Sequence, residues 1–468
     1  MYYKIIWNFK KYIVGCLFLY ICTLPSITSA TELTFDVTSE RSIKTMLEKA
    51  IPFIEEVTGR KYKKKTEFIL AEKNVAYEIF YQEFYSQLKR VSEKNSNYTN
   101  IKQHAKSSAQ IISQSSLGKY SLLEKKFIII PGNIKTVAKM FDLKDRSLYD
   151  FIFLLVTHEM VHALDDQYFN IQQKIENITD TTGNLQAFNA LVEGHAVYVT
   201  NKIAERLNIS EEVRQISAKS DAKISRPYQE QQQYYNIIYV QGYEFVKTII
   251  EKKGYSAIET AFISPPSSIQ LIMNPEEYLN PSRIDTIDCL KLLEKIAKFL
   301  PNQDMQLQIK NADSMYLKIN LIANGISERH ANAIAKDCIG GAMIIAKDPS
   351  SKRIMVTAQN FLNSKSAIKR LELGNKMKQI VETRFKKQPN ASYTVLKEEE
   401  LKLEGFDSVY YRHVEGKVNN VTTIIFMVEG LIDTLYVDMS FINMRREITE
   451  NRIAEILTLL SKERLKML

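Results

Sequence analysis

The spacing of hydrophobic positions predicts a first part of the chain that is mainly helical. Apolar residues recur at helical spacing over 38–59, where Ser39 is a possible N-cap, and again over 74–93. Residues 65–72 alternate like a strand, and 119–133 is typical of a hairpin with a Glu-Lys-Lys turn that Pro-Gly ends. We therefore expect helices packed on a small sheet.

Three longer apolar segments predict the central helices. The first ends at Tyr168 and takes either Asp145 or Ser147 as its cap; the second and third cover 181–207 and 234–253. Loops that contain prolines follow, because proline removes a backbone donor and interrupts a helix. They lie at 264–268 and 274–281.

The pattern changes near residue 300, where we place the end of a first domain of residues 31–300. Beyond this boundary the sequence predicts a hairpin at 341–361 and a charged helix at 365–387. Four strand-like runs and a last helix come next, at 392–399, 407–416, 422–430, 433–441 and 448–466. Strands flanked by helices indicate an α+β domain over 301–468, so the fold class of the whole chain is α+β.

The first thirty residues are typical of a secretory signal peptide. Three lysines precede an apolar run, Tyr12–Leu24, that is short for a bilayer span, and Thr28 and Ala30 have the spacing of a signal-peptidase site. We expect cleavage near Ala30 and a secreted or cell-envelope protein without a membrane span. An uncleaved anchor, or a lipid on Cys16, is the alternative.

Charge and cysteine content narrow the class of protein further. The net charge is +9, which falls to about +6 without the signal peptide, and no dense basic block with interleaved aromatics occurs. We therefore expect no nucleic-acid partner. Cleavage leaves Cys289 and Cys338, which could pair in an oxidising compartment, although the sequence does not show that they lie within bridging distance.

The segment "LLVTHEMVHALDDQYF" carries the chemistry that distinguishes this sequence. His158 and His162 are four residues apart, so a helix places both imidazoles on one face, where they can bind one metal ion. Glu159 lies beside the pair and could act as the general base. Polar side chains on so apolar a helix need partners, and a zinc ion would supply one.

A third protein ligand would leave one open position on a tetrahedral zinc ion. The candidates are Glu193 and His195 in "ALVEGHAVYV", which are two residues apart and so point to nearly opposite faces of a helix. We favour Glu193, and His195 is then a core or supporting histidine. Asp165 or Asp166 could orient a ligand histidine, or either could lie on a solvated helix end.

These residues resemble the gluzincins, the zinc metallopeptidases that include thermolysin. More narrowly, "HEMVHALDDQYF", "ALVEGHA", "YVQGYEFV" and "PPSSIQLIMNPEEYL" resemble motifs of a poorly characterised set of secreted bacterial and archaeal proteins. The resemblance covers roughly residues 120–280 and implies a zincin-like fold. It implies His158, His162 and Glu193 as ligands of one zinc ion and Glu159 as base.

The same resemblance matches Asp166 to the aspartate of a DQ pair, and Tyr239 and Phe245 to a Y-x-x-G-x-x-F-V helix. Tyr239 is our first candidate for a catalytic donor to the oxyanion, although a tyrosine packed in the core is the plainer interpretation. The last motif departs from the pattern, because Ile269-Gln270 replaces Glu-Gln and Asn274-Pro275 replaces His-Pro.

The predicted function is hydrolysis of peptide bonds in a peptide or protein substrate. Glu159 would activate the water, and the hairpin at 119–131 could offer an edge strand to an extended peptide. Two alternatives stay open: a catalytically degenerate, zinc-stabilised scaffold that binds a partner or a cell-envelope component, and a hydrolase of another amide or ester.

Overall fold

A computed structural model shows a mixed α+β chain that divides into two compact units, Met1–Ser267 and Ser268–Leu468. The residues that it describes are 38–94, 100–178, 183–214, 236–281, 287–301, 305–419, 421–444 and 448–467. The expected signal peptide, residues 1–30, lies outside the described residues.

The first unit is mainly helical, as its periodicity predicts. Ser39 caps the first helix, because its hydroxyl accepts a hydrogen bond from the Ser42 N–H. The helices are α1 (Glu40–Thr58), α2 (Lys73–Lys94), α3 (Ile101–Ser115), α4 (Pro131–Met140), α5 (Asp145–Phe169), α6 (Ile171–Asn177), α7 (Gly183–Arg206), α8 (Glu211–Arg214), a π-helical turn (Asn236–Gln241), α9 (Gly242–Lys253) and α10 (Ser256–Ile263).

The start of α5 differs from the expected caps. The N-cap is Lys144, and both Asp145 and Ser147 lie inside the helix. The Ser147 hydroxyl still contributes, because it accepts a hydrogen bond of 3.0 Å from the Lys144 N–H. A serine side chain therefore does help to cap this helix, but from its third residue and not from the N-cap position.

A three-stranded sheet completes the first unit and includes the expected hairpin. Its strands are β1 (Glu67–Leu70), β2 (Gly118–Ser121) and β3 (Lys126–Ile129) in the order β1-β3-β2. β3 pairs in parallel with β1 and antiparallel with β2, so β2 is an edge strand. Buried side chains of β3 and α2–α3, among them Ile128 and Phe80, form one apolar cluster.

The second unit is built on a seven-stranded antiparallel sheet. Its strand order is β4-β5-β6-β10-β9-β8-β7. The strands are β4 (Gln306–Asn311), β5 (Cys338–Lys347), β6 (Arg353–Phe361), β7 (Ala391–Glu400), β8 (Ser408–Val418), β9 (Val421–Ile432) and β10 (Leu435–Ile442). The helices are α11 (Ile269–Met273), α12 (Pro275–Leu279), α13 (Cys289–Ala297), α14 (Ser314–Ala323), α15 (Glu328–Ala335), α16 (Ser364–Lys386) and α17 (Glu450–Leu465).

Alternating side chains of this sheet enter two separate apolar clusters. Val437 packs with residues of α13 and α17, whereas Tyr436 packs with residues of α14, α15 and α16. Because neighbouring residues of a strand point to opposite faces, helices cover the sheet on both sides. The predicted hairpin, charged helix, four strand-like runs and final helix are all present.

The division between the units lies earlier than the boundary expected near residue 300. It falls within the proline-containing loop at 264–268. The helix α13 belongs to the second unit because Leu292 and Ile296 share one apolar cluster with the sheet residues Ile344 and Val356. The predicted loop at 274–281 also contains the short helix α12.

Both remaining cysteines lie in the second unit as free, buried thiols. Burial raises the pKa of the Cys289 thiol to about 12, which keeps it protonated and unreactive at neutral pH. Separately, none of the helices among the described residues has the length and hydropathy needed to cross a membrane.

Candidate metal centre

The helices α5 and α7 bring the three predicted ligands together. His158 and His162 lie one turn apart on α5, and their Nε2 atoms are 3.1 Å from each other. Glu193 of α7 approaches both, with its Oε2 at 3.1 Å from His158 Nε2 and 3.3 Å from His162 Nε2. Among the described residues, these three form a group that could hold a metal ion.

The spacing of these donor atoms fits a zinc ion. Ligands about 2.0–2.1 Å from a tetrahedral zinc ion are separated from one another by about 3.3 Å. The three separations here are 3.1, 3.1 and 3.3 Å. Two imidazoles and one carboxylate are also a donor set of catalytic zinc sites, which keep the fourth position open. The residues present therefore fit the ion that the motif implies.

Burial and charge tune the protonation of this group. Burial by itself would lower the pKa of His162, but the carboxylates of Glu193, Glu159 and Asp165 together outweigh it and raise that pKa to about 9. Burial likewise opposes ionisation of Glu193, yet His162 and His158 hold the pKa of its carboxyl well below the usual range. In the absence of a metal ion, the positive charge of protonated His162 is thus balanced by the negative charge of the Glu193 carboxylate.

Glu159 lies beside the ligand group, as its position next to His158 predicts. Its side chain is buried, and Oε2 accepts a hydrogen bond of 2.7 Å from the backbone N–H of Tyr120 in β2. Among the described residues, Oε1 has no hydrogen-bond partner. One oxygen is therefore fixed by the edge strand, and the other is left to act on a substrate or water.

A buried acid that the sequence did not single out anchors this edge strand. Glu83 of α2 accepts a hydrogen bond of 2.8 Å from the Ser121 hydroxyl and forms an ion pair with the Lys119 ammonium. Both partners belong to β2, so Glu83 holds the strand that presents the Tyr120 N–H to Glu159. Only the folded structure reveals this role, because Glu83 is far from the motif in sequence and reaches β2 through the packing of α2 on the sheet.

His195 is not part of the ligand group. It is fully buried, its Nδ1 lies 2.7 Å from Asp165 Oδ2, and its Nε2 is hydrogen-bonded to the Tyr255 hydroxyl. Both ring nitrogens are therefore occupied on the side of α7 away from Glu193. The structure places His195 in the core, one of the positions that the sequence left open.

The structure supports neither interpretation of Asp165 and Asp166, because both side chains are buried and both are bonded to groups other than the ligand histidines. Asp165 is bonded to His195, and Asp166 Oδ2 accepts hydrogen bonds from the Tyr120 hydroxyl at 3.1 Å and from Lys125 Nζ at 2.8 Å. Within the part of the chain that the structure describes, the buried Nδ1 of His162 has no hydrogen-bond partner. Tyr120 of β2 and Lys125 of the turn after it are partners of Asp166 that helix spacing alone does not show.

Tyr239 lies next to the ligand group, in the π-helical turn before α9. Its ring centroid is 6.5 Å from that of His158, and its side chain is partly exposed in the same cavity. The structure thus brings together His158, Glu159, His162, Glu193 and Tyr239, which all line one cavity.

Two glycines set how closely α7 and α9 approach. A Cβ on Gly194 would lie 2.2 Å from the backbone of Gly242, and a Cβ on Gly242 would lie 2.2 Å from the Ala190 carbonyl oxygen. Only glycine fits at such a backbone contact. Gly194 follows Glu193 directly, so this crossing also fixes the position of the ligand carboxylate.

The ligand group opens into a cavity of about 500 Å³. One face of α7 forms a wall, from Glu193 through Val197 to Thr200. Apolar side chains form much of the remaining surface: Phe84, Leu117, Leu122, Phe151, Leu154, Leu155, Ile171, Ile175, Val192, Val213, Ile238 and Val240. The cavity therefore has room for several residues of a substrate, and its walls are largely apolar.

Comparisons with known proteins leave the family open. No protein-family model matches the chain, and no curated protein matches it. A crystal structure of a candidate hydrolase with a novel fold, from Chloroflexus aurantiacus, is 18% identical, with a TM-score of 0.40. The match covers 54% of this chain and 91% of that one. At this TM-score the likeness indicates nothing about mechanism, so the functional assignment depends on the geometry of the site.

Proposed function

We propose that this chain is a zinc-dependent peptidase of the gluzincin type, with a zincin-like first unit. The observation that carries the proposal is the meeting of His158, His162 and Glu193 at tetrahedral ligand spacing, with Glu159 beside them in one cavity. When bound, zinc supplies Lewis acidity that activates water and polarises a carbonyl group.

Glu159 is the general base of the proposed reaction. Its Oε1 takes a proton from the attacking water and delivers it to the leaving amine, so one water is consumed for each peptide bond cleaved. The Tyr120 N–H holds Oε2 at 2.7 Å and keeps the carboxylate in place during both transfers. Tyr239, beside His158, is the proposed donor to the oxyanion.

The edge strand β2 is the proposed contact for the substrate backbone. Leu117, Gly118, Lys119 and Tyr120 all line the cavity. An extended peptide can pair with such a strand largely independently of its sequence. The signal-peptide pattern of residues 1–30 supports a secreted or cell-envelope location, where peptide or protein substrates would be met.

Glu159→Gln is the direct test of this proposal. Glutamine retains an acceptor for the Tyr120 N–H but takes up no proton, so hydrolysis of a general protein substrate should fall by about 10²–10⁴-fold. Metal analysis should still find one zinc ion per chain, because Glu159 is not among the ligands.

Equal rates for wild type and Glu159→Gln, at the level of the background, would contradict catalysis and favour the zinc-stabilised scaffold. Rates on casein and on small amides or esters should be compared in the same assay. If only the small compounds are hydrolysed, the protein is a hydrolase of another amide or ester and not a peptidase.

A further inference from the structure

The loop between α1 and β1 carries four exposed lysines within five residues: Lys61, Lys63, Lys64 and Lys65. No other stretch of the sequence holds four basic side chains within five residues. Positive charge is therefore concentrated at this place on the surface of the first unit.

The side chain of Gln167 holds the backbone of this loop against α5. Its Oε1 accepts hydrogen bonds from the Lys63 N–H at 2.8 Å and from the Lys64 N–H at 3.1 Å, and its Nε2 donates to the Lys64 carbonyl oxygen at 2.9 Å. Because the loop is already fixed by three hydrogen bonds, a partner that binds its lysines loses less conformational entropy than it would with a loose segment.

Three of these lysines, which we name the lysine triplet, carry charge that no carboxylate balances: Lys63, Lys64 and Lys65. Within the part of the chain that the structure describes, none of the three forms an ion pair, whereas Lys61 pairs with Glu55 at 2.8 Å. The Nζ of Lys63 donates to the Gln167 carbonyl oxygen at 3.1 Å, which is a neutral group. The triplet thus presents an excess of positive charge.

Nearby lysines of the small sheet and its turn differ from the triplet because they are paired. Lys126 of β3 lies 2.8 Å from the carboxylate of Glu67, and Lys125 lies 2.8 Å from that of Asp166. The unbalanced charge in this region is therefore carried by the loop.

The aromatic rings beside the triplet are engaged within the protein. The Tyr62 hydroxyl donates to the Met160 carbonyl oxygen at 2.7 Å. Two cations lie over the ring of Tyr168: Nζ of Lys63 at 4.0 Å from its centroid and the guanidinium carbon of Arg60 at 5.4 Å. Neither tyrosine is left as a platform on which bases could stack, which favours a partner other than a nucleic acid.

The loop packs on the side of α5 away from the metal ligands. Successive residues of a helix are about 100° apart, so Met160 lies about 200° from His158 and Gln167 about 140° from His162. None of residues 60–66 lines the cavity. Substitution of the triplet therefore leaves the candidate metal centre in place.

We propose that the lysine triplet binds the anionic surface of a lipid bilayer and attaches the chain to it peripherally. Lysine is a compact, hydrated point charge without the planar fork of arginine, so it suits a diffuse negative surface better than a single, precisely placed phosphate. The signal-peptide pattern of residues 1–30 supports a cell-envelope location, where such a surface is met. This attachment is a binding function that does not require peptidase activity.

Flotation with lipid vesicles of two compositions tests this surface. One set contains phosphatidylcholine alone, and the other contains equal parts of phosphatidylcholine and phosphatidylglycerol. Each lysine near an anionic bilayer strengthens binding about fivefold, so the chain should prefer the anionic vesicles by about 10²-fold at low ionic strength. Residues 61–65 contain no aliphatic side chain, so the preference should disappear in about 0.5 M salt, which screens charges beyond a few ångströms.

Variants then assign the preference to the triplet. The triple variant Lys63→Gln/Lys64→Gln/Lys65→Gln should lose most of it, whereas Lys63→Arg/Lys64→Arg/Lys65→Arg should retain it. The matched control removes three exposed lysines from α16 in the second unit and should keep the preference: Lys365→Gln/Lys369→Gln/Lys376→Gln. All forms share the same N-terminus, so residues 1–30 contribute equally to each, and equal thermal unfolding shows that each is folded.

The proposal is supported by a preference for anionic vesicles that disappears with the triplet and persists in the control. Equal binding to both vesicle types, or a preference that the triplet variant retains, would overturn it. An equal loss in the triplet variant and the control would also overturn it, because total charge and not this loop would then determine binding. Retardation of duplex DNA or polyphosphate without binding to vesicles would assign the triplet to another class of partner, and the bilayer would be the wrong one.

Discussion

Adjacent carboxylates on α5 serve different parts of the first unit. Asp165 binds His195 in the core, whereas Asp166 binds the Tyr120 hydroxyl and Lys125. Because successive residues of a helix point about 100° apart, one carboxylate faces α7 and the next faces the small sheet. Both therefore support the segments that carry Glu193 and the Tyr120 N–H.

Replacing His195 should separate a stabilising role from metal binding. In His195→Ala, the Asp165 carboxylate stays buried but loses its partner, so the free energy of unfolding should fall by about 3–5 kcal/mol. Zinc content should remain one ion per chain. Denaturant unfolding and metal analysis of the folded protein measure the two effects.

The matched variant is Glu193→Ala, which should lose most of the zinc affinity. Retention of zinc by Glu193→Ala together with its loss from His195→Ala would reverse the assignment of the third ligand.

At the scale of residues, the sequence indicates which side chains meet at the candidate metal centre better than it indicates the residues that support them. His158 and His162 are related by helix spacing alone, and Glu193 is found through a second recognisable motif. The bond from the Tyr120 N–H to Glu159 joins a strand to a helix 39 residues away. No local pattern encodes such a contact, and the same holds for Glu83.

At the scale of elements, the crossing of α7 and α9 controls the site. Gly194 and Gly242 allow backbone contact at this crossing. The sequence indicates both helices, but it does not show that these two glycines face each other. The hydrophobic pattern also does not predict the helix α4: Pro131-Gly132 indicates the end of a hairpin, whereas in the structure the proline occupies the first turn of a helix, where it is favoured.

Gly194→Ala should disturb this crossing and, through it, the ligand carboxylate. The added Cβ would meet backbone atoms, which cannot rotate away, so α9 must shift. We expect a loss of about 1–3 kcal/mol in stability and weaker zinc binding. Thermal unfolding and competition with a chelating dye measure these two quantities.

Gly132→Ala provides the control within the same unit. Its added Cβ would have 3.9 Å to the nearest atom, the side chain of Lys73, so stability and zinc binding should be unchanged or slightly improved. Equal behaviour of the two variants would contradict a close crossing of α7 and α9.

At the scale of the whole molecule, the candidate metal ligands and the cavity that they line belong to the first unit alone. The second unit has its own sheet and apolar clusters, and its helices complete a separate core. The sequence predicted the α+β character of that unit from its strand-like runs. The order of its seven strands depends on pairings between distant segments, which single-sequence periodicity does not contain.

Removal of zinc should therefore destabilise the two units unequally. A ligand that binds only the native state at 100 times its Kd contributes about 2.7 kcal/mol, which chelation removes. Hydrogen–deuterium exchange should become faster in α5 and α7 and stay constant in β5–β10. The Glu193→Ala protein, which lacks a ligand, should not respond to the chelator. Equal acceleration in both units would contradict this separation.

The hydrogen bond between β2 and Glu159 also bears on solubility. A bare edge strand presents backbone N–H groups to which a strand of another molecule can add, and this is a common route to aggregation. In β2, the Tyr120 N–H is already bonded to a carboxylate. Glu159 therefore prevents this one backbone donor from pairing with a strand of another copy.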